Sequence, residues 1–143
     1  MKQFIAHRGN TTGPEPSFEN RIEYLLHAYD LCGGIECDIQ MHNDRLYFGH
    51  DDPQEIVSPD IIMQNNWFCH AKDLDSLSAL LEMGAHTFWH QQDTVTLTSR
   101  GYIWCYPHIH PPDLTRSVWT DFDDEFVTVD SMNKIDAYGL CGD

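Results

Sequence analysis

The chain has 143 residues, 41% hydrophobic and 12% aromatic, the size and composition of one globular domain. Its 8 Lys and Arg against 23 Asp and Glu give a net charge of −15, which repels long polyanions and leaves no basic stripe for a nucleic acid to follow. No run approaches the roughly 18 apolar residues of a membrane span, no secretory apolar stretch opens the chain, and the five cysteines form no CxxC. The expectation is a cytoplasmic protein with buried free thiols, no transmembrane segment and no nucleic-acid partner.

Gln3 to His7 reads as a short buried strand ending in His7-Arg8-Gly9, with loop from Asn10 to Pro16. Phe18, Ile22, Leu25 and Tyr29 then recur at helical spacing behind Ser17, a good N-cap, and Gly33-Gly34 supplies the stop, which predicts a helix over 17–31. Residues 34–41 form a strand and Leu46 to Gly49 another. The link His42-Asn43-Asp44-Arg45 is far too short for a parallel crossover, so the two strands pair antiparallel about an Asn-Asp turn, which brings His50 opposite Cys37 or Asp38. Trp67 to Ala71 is a strand, and Leu74, Leu77, Leu80 and Leu81 mark a helix from an Asp73 cap to Gly84. Strand-like pieces follow at 86–90, 102–106, 117–120, 126–130 and 137–141, with no helical period after Gly84. Alternating strand and helix predict one α/β domain, 1–143, with a largely parallel sheet. A full (β/α)8 barrel takes ~250 residues and rarely fewer than 200, so a barrel here has most of its outer helices replaced by loops.

Chemistry concentrates at one place. Glu36 and Asp38 stand at i and i+2 of one strand and leave the same face, and the hairpin returns His50 beside them. Two carboxylates and an imidazole suit Mg²⁺, Ca²⁺ or Mn²⁺. Arg8 adds a bidentate clamp for a phosphate and His7 a proton donor or acceptor. The plain alternative, a solvated acidic strand face, is weakened by the apolar and small neighbours of residues 34–39, because a buried carboxylate pair without cations is strongly unfavourable.

Four segments in chain order resemble motifs of the glycerophosphodiester phosphodiesterase family, which includes sphingomyelinase D-like enzymes. Ile5-Ala6-His7-Arg8-Gly9 is similar to its opening HRG strand and Glu19-Asn20 to the acidic-Asn pair at its first helix. Gly34-Ile35-Glu36-Cys37-Asp38 is similar to its ExD metal strand, and Leu46 to Asp51 to the strand ending in His-Asp. The resemblance implies a (β/α)8 TIM-barrel-like fold, here reduced and helix-poor. It also implies a metal-dependent hydrolase of a small phosphodiester, often cleaved through attack by a neighbouring substrate hydroxyl. His7 and His50 would be the general acid and base, and Glu36 and Asp38 the ligands of one divalent ion, Mg²⁺, Ca²⁺ or Mn²⁺.

The chain departs from the family where a third carboxylate is common in an ExK pattern: Cys69-His70-Ala71-Lys72 has His70 at that position. Strand alternation sends Phe68, His70 and Lys72 to one face, so His70 reads as the third metal ligand, with a satisfied buried core histidine as the alternative, and Lys72 joins Arg8 at the phosphate. An imidazole ligand moves the preference toward Mn²⁺, Fe²⁺ or Zn²⁺. Two alternatives stand beside the hydrolase: a catalytically inactive metal- or phosphate-binding module of the same fold, and an enzyme that acts on a different bond. Self-association is an open expectation, since a trimmed barrel leaves apolar strand backs uncovered.

Other residues take plainer roles. His108 and His110 sit in a proline-flanked loop, Trp89, Trp104 and Tyr106 read as core or as stacking surface for substrate, and Cys37, Cys69 and Cys105 as small packing residues. The run Asp121, Asp123, Asp124, Glu125 reads as a solvated loop, with a second cation site as the alternative.

Overall fold

The computed structural model describes residues 2–107, 109, 114–120, 134 and 136–143. His108, His110, the acidic run 121–125 and the strand expected over 126–130 lie outside the described residues. Among the described residues, ten strands form one sheet and three α-helices accompany it. The strands are β1 (Gln3–His7), β2 (Ile35–His42), β3 (Arg45–Phe48), β4 (Glu55–Ile56), β5 (Trp67–Ala71), β6 (Thr87–Phe88), β7 (Val95–Leu97), β8 (Ile103–Cys105), β9 (Ser117–Trp119) and β10 (Gly139–Gly142). The helices are α1 (Ile22–Cys32), α2 (Pro59–Ile62) and α3 (Leu74–Met83). No helix among the described residues is long and apolar enough to cross a membrane.

The expected (β/α)8 architecture does not form. Eight strands follow one another in the order β4-β3-β2-β1-β10-β9-β8-β7, and β5 pairs with the free edge of β2 and carries β6. The result is a mixed sheet curled into a half-barrel. Pairings from β6 through β5, β2, β1, β10 and β9 to β8 are parallel, whereas β3, β4 and β7 run antiparallel. The cause lies in the connections between strands. A parallel crossover with its helix takes a dozen or more residues, and the stretch between β6 and β8 is occupied by the antiparallel β7, while among the described residues between β8 and β9 there is a 3-10 turn, Leu114–Arg116. Ser99 N donates to Thr87 O at 2.7 Å and Thr96 Oγ1 to Trp89 O at 2.9 Å, which draws the β7 end across β6 and tightens the curl.

The β2–β3 hairpin forms as its loop requires: Ile39 pairs with Phe48 and His42 with Arg45, around Asn43 and Asp44 at φ 48° and 59°. Gly49 ends β3 at φ +143°, where any Cβ would strike Asp52 O, so only glycine lets the chain double back toward His50. Helix α3 begins at the expected Asp73, whose carboxylate accepts from Ser76 N at 2.7 Å in a capping box. Helix α1 starts five residues later than Ser17. Asn20 at φ 61° breaks the helical path, and Glu55 caps the helix from outside, accepting from Ile22 N at 2.8 Å.

Leu25, Ala28, Ile35, Cys37, Ile39, Trp67, Cys69 and Leu80 bury the convex face under α1 and α3. The concave face carries a smaller core of Ile5, Phe68, Phe88, Trp104, Val118 and Cys141. Beside it, His86 is buried with its ring 4.4 Å from Phe68 and Nε2 2.8 Å from Thr98 Oγ1. Burial, together with the Arg100 charge, pushes its pKa down to about 4 from the ordinary 6.5. Between those values the unfolded chain binds a proton that the folded chain refuses, so stability is full above pH 6.5 and falls toward pH 4. Urea unfolding of the wild type and of His86→Phe at pH 7 and pH 4.5 is expected to show the wild type losing on the order of 2–3 kcal/mol more than the variant.

Candidate metal and phosphate site

The floor of the concave face predicts the layer above it, because side chains alternate along a strand. Two residues beyond Ile5, Phe68, Phe88, Trp104, Val118 and Cys141 stand His7, His70, His90, Tyr106, Thr120 and Asp143, and all six line one cavity of about 690 Å³. Glu36 and Lys72 line it as well, and His50 reaches it from the end of β3. The floor rings are packed, with Trp104 4.4 Å from Phe88 and 5.5 Å from Phe68, so the polar layer sits on a rigid base.

Asp38 is fully buried and is the most tightly held group of the site. Asn20 grips it twice, donating from Nδ2 to Oδ2 at 3.0 Å and accepting at Oδ1 from the Asp38 backbone N–H at 2.9 Å. Arg8 Nε lies 2.9 Å from Oδ2, while His70 Nδ1 and Lys72 Nζ lie 3.3 and 3.4 Å from Oδ1. Glu36, also buried, places Oε1 3.7 Å from His70 Nδ1 and Oε2 3.8 Å from His7 Nε2, and it accepts from the Arg8 backbone N–H at 3.3 Å. Burial by itself raises both carboxyls. The His70 contact and the Arg8 and Lys72 charges hold Asp38 well below the carboxylate range, whereas burial and then the charge of Asp38 raise Glu36.

The structure brings the sequence-predicted ligands together: Glu36, Asp38 and His70 each offer one ligand atom, all within 4.8 Å of one another, a set that can take a divalent cation. Lys72 joins them. Arg8 lines the cavity with two of its nitrogens engaged, Nε at Asp38 and Nη1 3.2 Å from Glu19 Oε2, and its φ of 54° stores backbone strain beside the site. His50 stands on the cavity wall with Nδ1 2.8 Å from the exposed Asp51. His7 has Nδ1 2.8 Å from Asp143 Oδ1. Burial lowers the His7 pKa, but the Asp143 hydrogen bond and the Glu36 charge outweigh it and raise the imidazole above 6.5. Compared with family models, curated proteins and solved structures, the chain matches none.

Sequence reasoning gave no individual role to Asn10, Glu19, Asn20, His90 or Asp143. Asn10 Nδ2 donates at 2.9 Å both to Glu19 Oε1 and to Asp143 Oδ1, tying the β1 loop to the end of β10. His90 stacks on His70 at 4.6 Å, and burial, with the nearby His70 and Lys72 charges, pushes its pKa down to about 4, so it is neutral at pH 7. The available signal was alternation: each of the residues in the polar layer follows an apolar floor residue by two.

Asn20 tests the design of the site. Asn20→Gly keeps the positive φ and removes both bonds to Asp38, which is expected to cost about 1–3 kcal/mol for the buried groups left unpaired. Asn20→Ala is expected to cost roughly 1–2 kcal/mol more for a left-handed non-glycine residue, as read by chemical denaturation at pH 7.

Proposed function

We propose that the chain is a metal-dependent hydrolase of a small phosphodiester, with one divalent ion held by Glu36, Asp38 and His70. The observation that carries this reading is a buried acceptor without a hydrogen bond. Asp38 Oδ1 has no hydrogen-bond partner, with His70 Nδ1 3.3 Å and Lys72 Nζ 3.4 Å away as ion-pair neighbours, and Glu36 Oε1 lies 3.7 Å from the same His70 nitrogen. Lone pairs from three residues facing one small space fit a cation better than they fit one another. One imidazole with two carboxylates supports Mn²⁺ over the Mg²⁺ or Ca²⁺ of an all-oxygen set. When bound, such an ion neutralises phosphate charge and polarises the P–O bonds.

The remaining groups supply the rest of the chemistry. Lys72 and the N–H groups of Arg8 not spent on Asp38 and Glu19 bind the phosphate oxygens, which gives an acidic protein a local cationic entry for an anion. An attacking hydroxyl, from water or from the substrate, gives its proton to one imidazole of the His7 and His50 pair. The other imidazole protonates the departing alkoxide as the P–O bond breaks. Five free cysteines support a reducing compartment such as the cytoplasm. A second reading, a module that binds an ion and a phosphate without turnover, is favoured by one feature: Arg8 and Lys72 are both already drawn onto Asp38.

Turnover of bis(p-nitrophenyl) phosphate with Mn²⁺ separates the two. Under the hydrolase reading His7→Ala and His50→Ala each lower kcat by about 10²–10⁴ while the protein stays folded; losses under about threefold in both leave only the binding module. Calorimetric titration of Mn²⁺ is expected to show strongly weakened binding in Glu36→Gln and Asp38→Asn, and wild-type affinity in both would remove the metal site. His70→Glu is expected to move the order of metal activation from Mn²⁺ toward Mg²⁺ and Ca²⁺, and an unchanged order would return His70 to the core.

A further inference from the structure

His7 and His50 both meet a carboxylate at Nδ1, at the same distance of 2.8 Å, yet the two pairs are built differently. Asp51 is the sequence neighbour of His50 and its side chain is 89% exposed, so water competes for the contact. Asp143 comes from the far end of the chain, 136 residues away, and its side chain is 33% exposed. It is fixed from a second direction by Asn10 Nδ2 at 2.9 Å, and the buried Asn10 is itself held by Tyr24 Oη, which donates to its Oδ1 at 3.3 Å. Strand register creates the pair: β1 lies parallel to β10 with Ala6 opposite Gly142, so His7 and Asp143 come next, side by side at the rim.

We infer that Asp143 is the positioning residue for His7, its Oδ1 taking the Nδ1–H so that Nε2 is the one atom through which the ring exchanges protons. The geometry is consistent along the ring, since Nε2 is the nitrogen that lies 3.8 Å from Glu36 Oε2, on the side where the reacting phosphate would be held. A neutral imidazole free in water favours the opposite tautomer, with the proton on Nε2, and such a ring has no lone pair there to act as a base. Asp143 removes that tautomer, fixes the ring plane and keeps a negative charge beside the imidazolium formed during turnover, and it touches no reacting atom. Asn10 aligns the carboxylate in turn. This inference rests on the hydrolase reading for its catalytic consequence, but the tautomer exists without turnover.

The test has two arms on the full chain. In metal-free, ¹⁵N-labelled protein at alkaline pH, long-range ¹H–¹⁵N correlation is expected to show His7 protonated at Nδ1 in the wild type and mainly at Nε2 in Asp143→Ala. A ring that stays protonated at Nδ1 in the variant overturns the inference. In the kinetic arm, Asp143→Ala is expected to lower kcat on bis(p-nitrophenyl) phosphate roughly 10- to 100-fold, within the range a general acid–base residue contributes, and to cost nothing further in a His7→Ala background. Equal losses in both backgrounds also overturn it. Asp143→Asn, which keeps the shape and removes the charge, replaces Asp143→Ala in the kinetic arm if the latter does not fold, and the same non-additivity is expected. A wild type with no turnover at all defeats the hydrolase reading and leaves the tautomer arm to decide the role of Asp143.

Discussion

The arrangement depends on keeping one charge, that of Asp38, out of water. A fully buried carboxylate is tolerable only when cations and donors surround it, and this one draws in Arg8, Asn20, His70 and Lys72 from three separate segments of the chain. Much of the local geometry follows. Arg8 accepts a left-handed backbone at the end of β1, Asn20 does the same ahead of α1, and the helix begins five residues after its best-looking cap. Each is a local cost borne in order to hold the same two oxygens.

The curled sheet makes that investment useful. Parallel strands deliver their carboxyl ends to one rim, and the alternation of side chains sets polar groups two residues beyond each apolar floor residue. The floor is aromatic and close-packed, with rings 4.4 to 5.5 Å apart, so the polar layer rests on material that does not give. Binding groups on rigid elements hold their geometry better than groups on loops. His50 stands on the turn beyond β3, and its partner Asp51 is the most solvent-exposed carboxylate of the ion pairs at the cavity.

Local rules recovered much of this, and they failed where distant residues intervened. The β2–β3 hairpin was legible because a four-residue link admits no other geometry, and α3 was legible because Asp73 and Gly84 bracket a clear apolar period. The clustering of Glu36, Asp38 and His70 was legible from alternation in two strands, which decides their facing without knowledge of the fold. The start of α1 was not, because Asn20 serves Asp38 and Glu55 supplies the cap from 33 residues away. The expected barrel was overturned by β7, whose antiparallel course leaves no room for a crossover helix before β8. The weak apolar run Val95–Leu97 gave no warning of that reversal, and the pairing of Asp143 with His7 was hidden because the two residues lie 136 positions apart.

The β1–β10 pairing also orders events in time. Contacts among β2, β3, β5 and α3 join segments near one another in sequence, whereas Gln3 against Gly139 must close a loop of almost the whole chain. Loop closure of that span carries an entropic cost that local pairings do not, so the first half of the sheet gains order early and the β1–β10 seam closes late. Until it closes, Ile5, Phe68, Phe88 and Trp104 face solvent, and a sheet with open edges and a bare aromatic floor is prone to associate with its own kind. The seam that completes the site is therefore also the closure that protects the nascent chain from aggregation.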